Sequence, residues 1–460
     1  MLETYDIARI LRRALAGGGE FADLYYEEGS STAIVCDDGK IEKVLAGTDR
    51  GIGIRVISDL RTAYAFTNDI TEASVLSLAD TVSAAVKGKA FEGTIDMRAQ
   101  VIGPGFPIEI LPNNVPLQEK VALVNRGNIT ARGFSKKIRQ VMVVYRDSWG
   151  KTQIANSLGN FTEASRTGTL YLVQVVAADG EVIQTGYEPI GKFMGHEIFR
   201  EKSPEEIALT AARRAVMMLD ARKAPGGLMP VVLSCEAGGT MVHEAIGHGL
   251  EADLAQNGMS VYTGKVGEQV ASPLVTVIDD ATIPNARGSF SFDDEGTLAQ
   301  KTVLVENGIL RGYLYDRLSA MKDGCVSTGN GRREGYHAKP IVRMTNTLIA
   351  PGSTPPDDIV RGVETGLFVR KMGGGQVNTV TGDFVFEVSE GYLIERGQIG
   401  EPVRGATLTG NGPEVLKKIV AVGSDLGFGI GTCGKEGQGV PVSDAQPTLL
   451  ISEITIGGAA

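Results

Sequence analysis

Met241-Val242-His243-Glu244-Ala245-Ile246-Gly247-His248-Gly249-Leu250-Glu251 brings two imidazoles and a carboxylate together in a chain that has four histidines in 460 residues. Neutral imidazole is the commonest protein ligand for zinc, and a glutamate beside a ligand can take the proton of an attacking water. His-Glu…His on one helix therefore describes a compact hydrolytic centre. The spacing makes a physical demand. In H-E-x-x-H the imidazoles stand at i and i+4, separated by only ~40° around a helix of about 3.6 residues per turn. Here they stand at i and i+5, and an ideal α-helix would splay them by ~140°. One ion meets both only where the turn is widened into a π-bulge or broken. Gly247 is the expected place for that distortion, because glycine costs a helix roughly 1 kcal/mol and departs from helical geometry cheaply.

A catalytic zinc takes three protein ligands and keeps one position open. His196 and His337 are candidates for the third ligand by residue type. Cys433, in Gly431-Thr432-Cys433-Gly434-Lys435-Glu436-Gly437-Gln438-Gly439, is the better one, since a thiolate among glycines approaches an ion at little steric cost. Cys36 and Cys235 follow Ala33-Ile34-Val35 and Val231-Val232-Leu233 and read as small buried hydrophobes. Cys325 lies in a turn-rich stretch and stays a candidate.

The length suggests about three domains. A net charge of -10, with no basic block or interleaving of basic and aromatic residues, argues against a nucleic-acid surface. Residues 1–20 carry early acids and no apolar core of a secretion signal, and no run reaches the length of a membrane span. Four cysteines without a framework pattern fit a reducing compartment, so the cytoplasm is expected. Sixty glycines suit many short antiparallel strands.

The pattern of elements predicts an α+β fold. Residues 5–16 have helical apolar spacing, then short β-rich runs (21–28, 32–36, 40–45, 52–57, 62–67) are divided by Asp37-Asp38-Gly39, Gly47, Gly51 and Ser58-Asp59, and 69–86 reads as a second helix. This gives an N-terminal α+β domain over 1–90. A loop-rich connection, 88–115, contains Gly103-Pro104-Gly105 and Pro112-Asn113-Asn114. A central α+β domain, 115–224, repeats the order: a helix from near Pro116, strands at 137–147, 152–162 and 168–179, and a helix to about Arg222 opened by Ser203-Pro204-Glu205-Glu206, a capping box with proline at the first helical position. From 227 to 460 a β-rich C-terminal domain carries the distorted metal-binding helix. Neither a Walker-type phosphate loop nor a dinucleotide fingerprint is present.

With His243-Glu244-Ala245-Ile246-Gly247-His248, the runs Asp293-Asp294-Glu295-Gly296-Thr297, Thr328-Gly329-Asn330-Gly331-Arg332-Arg333-Glu334, Arg343-Met344-Thr345-Asn346-Thr347, Gly373-Gly374-Gly375-Gln376-Val377, Gly405-Ala406-Thr407-Leu408 and Cys433-Gly434-Lys435-Glu436-Gly437-Gln438 occur in order. Together they resemble the TldD branch of the TldD/PmbA metallopeptidases, densely in the C-terminal half and by layout in the N-terminal half. The PmbA (TldE) branch lacks the metal motif, so its presence here indicates the TldD branch. The resemblance implies one zinc per chain held by His243, His248 and Cys433, with Glu244 as catalytic base. It also implies a cytoplasmic peptidase of short or unfolded peptides, its active site enclosed in a dimer with a PmbA/TldE-like partner or a second copy. Arg343, Thr345, Asn346 and Gly374 are candidate contacts to the peptide. Gly335-Tyr336-His337-Ala338 departs from the family pattern, which has a serine before the tyrosine and the histidine one place later. Two other readings stay open: a regulatory or binding subunit of such a complex, and a zinc hydrolase of a non-peptide amide.

Overall fold

The computed structural model describes residues 1–88, 91, 93–97, 99–103 and 105–458. The expected domain limits at residues 90 and 460, and Pro104 of the expected Gly-Pro-Gly loop, lie outside the described residues. Among those described, no helix is long and apolar enough to cross a membrane.

The fold is α+β. In the N-terminal half, α1 (Ile7–Ala14) precedes β1 (Phe21–Asp37), β2 (Lys40–Ser58) and β3 (Arg61–Thr67), and α2 (Glu72–Ala84) follows. β4 (Ala99–Ile102) falls in the connection. Next come α3 (Leu117–Phe134), β5 (Ile138–Asn156), β6 (Asn160–Asp179), β7 (Val182–Lys192) and α4 (Pro204–Leu219). α4 opens as expected: Ser203 Oγ accepts from Glu206 N, and Glu206 Oε2 accepts from Ser203 N at 2.8 Å.

The strands are longer than the spacing predicts. Runs 21–28 and 32–36 are one strand, as are 40–45 and 52–57, and β7 is an additional strand. Of the expected breaks, Asp38-Gly39, with φ of 52° and 81°, and Asp59, with φ of 49° and followed by Leu60 at 57°, turn the chain, while Gly47 and Gly51 do not. Gly51 lies inside β2 for want of space instead, because a Cβ there would stand 2.2 Å from the Tyr336 ring. β1 pairs antiparallel with β5 from Asp23↔Asn156 to Asp37↔Met142. Strands from both sides of the 88–115 connection therefore form one sheet, in the order β3-β2-β1-β5-β6-β4 with β7 also on β6. α1 and α2 bury Ile10, Leu11, Val75 and Val82 against Tyr26, Ile54 and Val56, while α3 and α4 bury Val124, Ala208 and Ala212 against Val143 and Val173.

The C-terminal half is β-rich. Its larger sheet closes on itself: Thr365–Val377 pairs with both Gly227–Leu233 and Asp383–Glu395, and Leu449–Gly457 and Thr407–Asn411 complete the ring. A six-stranded sheet ends in the hairpin 427–446. Met241, Val242, Ala245 and Ile246 of the motif helix share one core with Leu233 and Phe386 from the ring and Val440 and Val442 from the hairpin.

A buried charge network joins the halves. Arg55 of β2 donates to Asp23 of β1 at 2.8 Å and to Glu295 at 2.6 Å, all three side chains being essentially inaccessible. Arg333 stacks 4.1 Å from the Tyr25 ring centroid and donates to the Asp294 carbonyl at 2.9 Å. Asp294, Glu295 and Arg333 of these motifs thus belong to the junction, while Asp293 and Arg332 bond within the C-terminal half. Removing one partner of a buried ion network strands the others, at about 3–5 kcal/mol. Arg55→Ala should lower the urea midpoint followed by Trp149 fluorescence accordingly; unfolding superimposable on the parent would show that the network adds no stability.

Candidate metal centre

The chain leaves the strand Gly227–Leu233 through a short turn and enters the motif helix at Gly239, whose N–H donates to Asp444 Oδ1 at 3.1 Å. A Cβ on Gly239 would lie 2.3 Å from Ala445 N, so only glycine brings the helix this close to the hairpin. The winding then changes within one segment: α-helical over Thr240–Val242, π over His243–Gly247 and 3-10 over His248–Leu250. His248 N–H donates to His243 O, the i+5 bond that stacks the two residues on one face. Their rings stand 5.0 Å apart, nearly perpendicular.

The widened turn falls where the spacing requires it, but the reason for Gly247 differs from the expected one. Its φ of -55° and ψ of -55° are ordinary helix. Its missing side chain matters because a Cβ would stand 2.2 Å from Met344 Sδ.

The hairpin turns at Glu436-Gly437, φ 50° and 75°, and sets Cys433 opposite Val440. Cys433 Sγ lies 3.5 Å from His248 Nε2, and one ligand atom from each of His243, His248 and Cys433 lies within 4.8 Å of the others. Glycine crowding is not what admits the thiol, since a Cβ on Gly434 would touch nothing within 4 Å; hairpin register is. Of the other candidates, His196 packs on Phe199, Cys36 is in a core, Cys325 is exposed, and His337 packs by Phe66 and Tyr336 in a cleft against the N-terminal sheet.

Three residues that the motif reading did not single out organise the cluster. Glu251 Oε2 lies 3.1 Å from His248 Nδ1 and 3.1 Å from Lys435 Nζ. Lys435 also donates to Asp253 at 2.7 Å and to Val342 O at 3.0 Å. Accepting from Nδ1–H, Glu251 orients the ring so that His248 Nε2 faces Cys433 and is the nitrogen left for a metal. Burial alone would raise the Glu251 carboxyl, but Lys435 and His248 hold it at about 2. Burial likewise works against the Cys433 thiolate, yet hydrogen bonds from His243 and His248 and their charge bring the thiol down to about 5. Burial also disfavours both imidazolium ions; Cys433 raises His243, and Glu251 with Cys433 raises His248 further. This donor set suits a soft-to-borderline cation, which takes thiolate and imidazole. His243 Nδ1, buried without a hydrogen-bond partner among the described residues, fits the same use.

His243, Glu244, His248 and Cys433 line a cavity of about 650 Å³ whose far wall includes Gly374 and Gln376. Glu244 faces it with a carboxyl raised by burial, a rise that His243 and His248 partly offset. Arg343, Thr345 and Asn346 do not line it. All three are buried and bonded inside the protein: Arg343 through both terminal nitrogens to the carbonyls of Cys433 and Gln438, Thr345 to Asp279, Asn346 to Gly288 N, Asp280 O and Ser289. Arg343 braces the hairpin, while Thr345 and Asn346 tie their own strand to the segments at Asp279–Asp280 and Gly288–Ser289. Of the four expected peptide contacts, Gly374 alone borders the cavity.

The chain matches three family models: PmbA/TldA metallopeptidase domain 1 over residues 22–88, the central domain over 110–219 and the C-terminal domain over 226–458. It is 39% identical to a metalloprotease TldD homolog of Haemophilus influenzae, over 95% of this chain and 93% of that one. It is 36% identical to a metalloprotease of Methanothermobacter thermautotrophicus, over 95% and 96%. Its fold is similar to TldE from Thermococcus kodakarensis, TM-score 0.75 at 19% identity, covering 98% of this chain and 99% of that one. It is also similar to a proposed DNA-gyrase modulator from Thermotoga maritima, TM-score 0.78 at 23% identity, covering 95% and 96%.

Cys433→Ser should lose most bound zinc under mild chelation, and Glu251→Gln should weaken zinc about 10- to 100-fold, the usual cost of removing a partner that orients a ligand. Zinc per chain by mass spectrometry, with a competing chelator titrated in, reads both. Parental affinity in Cys433→Ser would place the third ligand elsewhere.

Proposed function

Because this chain belongs to the PmbA/TldD metallopeptidase family, we propose that it is a zinc-dependent peptidase of short or unfolded peptides, with His243, His248 and Cys433 holding the metal and Glu244 as base. The observation that carries this reading is the convergence of two imidazoles, a low-pKa thiol and a carboxylate on one cavity. Bound there, zinc supplies Lewis acidity that lowers the pKa of water and polarises a carbonyl.

The chain's own residues do the rest. Glu244 accepts a proton from water as its oxygen attacks the scissile carbonyl carbon, then delivers that proton to the amine nitrogen as the C–N bond breaks. A carboxyl raised by burial suits both halves of that transfer. Glu251, with Lys435 behind it, keeps His248 oriented. Gly427–Lys435 is an edge strand of its sheet and its residues 430–434 border the cavity, so an extended chain laid beside it would be held through backbone more than side chains. A folded segment has no free backbone to offer.

Access is the remaining requirement of such a centre among flexible chains. Membership of the PmbA/TldD metallopeptidases, with the dimer that the resemblance implies, is the ground for this part of the reading: a second copy or a TldE-like partner encloses the cavity.

Glu244→Gln keeps the side chain's shape but cannot accept a proton. It should retain zinc and lose at least about 100-fold in peptide turnover; turnover within a few-fold of the parent would remove Glu244 from the base role. For substrate class, one cleavable sequence is offered as a free peptide and as a loop of a tightly folded protein. Cleavage of the free form alone is expected, and equal cleavage of both would overturn selection by enclosure.

A further inference from the structure

Among the described residues, the wall of the metal cavity carries a charge that the chemistry above does not use. His243 and His248 stand with Cys433 at the metal site, Glu244 is the base, and Lys435 is engaged by Glu251 and Asp253 at 3.1 and 2.7 Å. Asp444 is left. Only 8% exposed, it still borders the cavity. Its Oδ1 accepts from Gly239 N at 3.1 Å, but no lysine, arginine or histidine among the described residues forms an ion pair with it. Lys371 acts on it through space without pairing, and is itself drawn to Glu188. The bond to Gly239 needs an acceptor and no charge. A buried carboxylate without a counter-ion is unfavourable, and a cation that a ligand brings to it offsets that penalty.

Hairpin register sets where the carboxylate stands. Cys433 faces Val440, Gly431 faces Val442 and Gly429 faces Asp444. Alternate pairs share a face, so Asp444 lies on the face of Cys433, on the order of 13 Å along the strand. The strand between them contributes no side chain to that face. At Gly429 a Cβ would stand 2.3 Å from Asp444 Oδ1, so glycine there admits the carboxylate. At Gly431 a Cβ would meet only Val442 Cγ2, at 3.5 Å, an ordinary contact. Gly431 and Val442 therefore floor a slot that opens on the cavity between the thiol and Asp444. A long side chain entering beside the metal site and ending in a cation would have its stem on that floor and its charge at Asp444.

We propose that Asp444 determines substrate specificity by holding a cation of the peptide, either a lysine or arginine side chain or the N-terminal ammonium, while a nearby peptide bond lies at the metal. This rests on the peptidase reading of the cavity and names the class of peptide it takes.

The test reads binding, so that it stands apart from turnover. It uses the zinc-loaded full chain with Glu244→Gln, which removes the other unpaired carboxylate of the cavity wall. Short fluorescent peptides carry one lysine or one norleucine at each position in turn, with the N-terminus free or acetylated, and anisotropy gives each dissociation constant. Lysine at a particular position should bind at least about tenfold tighter than norleucine if the side chain is the source of the cation; a free N-terminus should hold the same advantage over an acetylated one if the terminus is. Asp444→Asn, which can still accept from Gly239 N, should bring that advantage close to unity. Gly431→Lys should do the same by supplying an internal ammonium across the diagonal of the ladder. It keeps Asp444 and its bond to Gly239, and so decides the matter where Asp444→Asn fails to fold. No advantage for either cation, an advantage that survives both substitutions, or a loss shared equally by lysine and norleucine peptides would each overturn the proposal. Hydrolysis of the same peptides by the chain with Glu244 intact reports separately on the peptidase reading.

Discussion

One backbone hydrogen bond, His248 N–H to His243 O, carries the rest of the site. It spans five residues instead of four, and the extra residue turns two imidazoles that an α-helix would point apart onto a single face. A π turn is rare by itself and persists only where its surroundings hold it. Here Met344 fills the space that a side chain at Gly247 would need, and the segment's apolar residues share a core with the strand ring and the hairpin. The distortion is therefore a packed feature of the core with the imidazoles at its open side.

The hairpin 427–446 is the second half of the constraint. Cys433 lies 185 residues beyond His248, and its position depends on register with Val440 and on what grips the hairpin. Lys435 reaches Glu251 and Asp253 at the end of the motif helix, while Arg343 holds the carbonyls of Cys433 and Gln438. Charge alternates from Lys435 through Glu251 and His248 to the Cys433 thiolate. In a buried, weakly screening setting each of these groups stabilises the ionised form of the next. The order of pKa shifts, Glu251 and Cys433 held down and both histidines held up, follows from that alternation.

Much of the polar sequence outside the cavity serves assembly. Asp279 accepts from Asn330, Thr345 and Thr347, tying the residue-330 loop and the start of the strand Asn346–Ile349 to one strand. Glu295 accepts from Arg55 and from Arg317 N, joining the N-terminal sheet to the C-terminal half. Buried charges of this kind are tolerated because each has partners of opposite sign or backbone donors within reach. The arginine-rich motifs and Arg343-Met344-Thr345-Asn346 are fittings within the fold, whereas the glycine-rich run Gly374–Gln376 borders the cavity.

The sequence by itself determined what depends on residue type and short-range spacing. His243, Glu244 and His248 announced a metal-type centre, and their i+5 separation required a widened turn because helical angle is set by residue count alone. Ser203-Pro204-Glu205-Glu206 set a helix start for the same local reason, and the mix of helical and alternating patterns set the α+β class. Only the tertiary structure decided what depends on distant partners. Gly51 reads as a turn but serves close packing against Tyr336, so shorter predicted runs became the long strand β2. One sheet spans both sides of the 88–115 connection because β1 pairs with β5, a register no local pattern encodes. Arg343, Thr345 and Asn346 read as peptide contacts but are buried braces, since a polar side chain's use is fixed by what the fold places opposite it. Glu251 and Lys435 gained their place at the centre in the same way, when the hairpin closed on the helix.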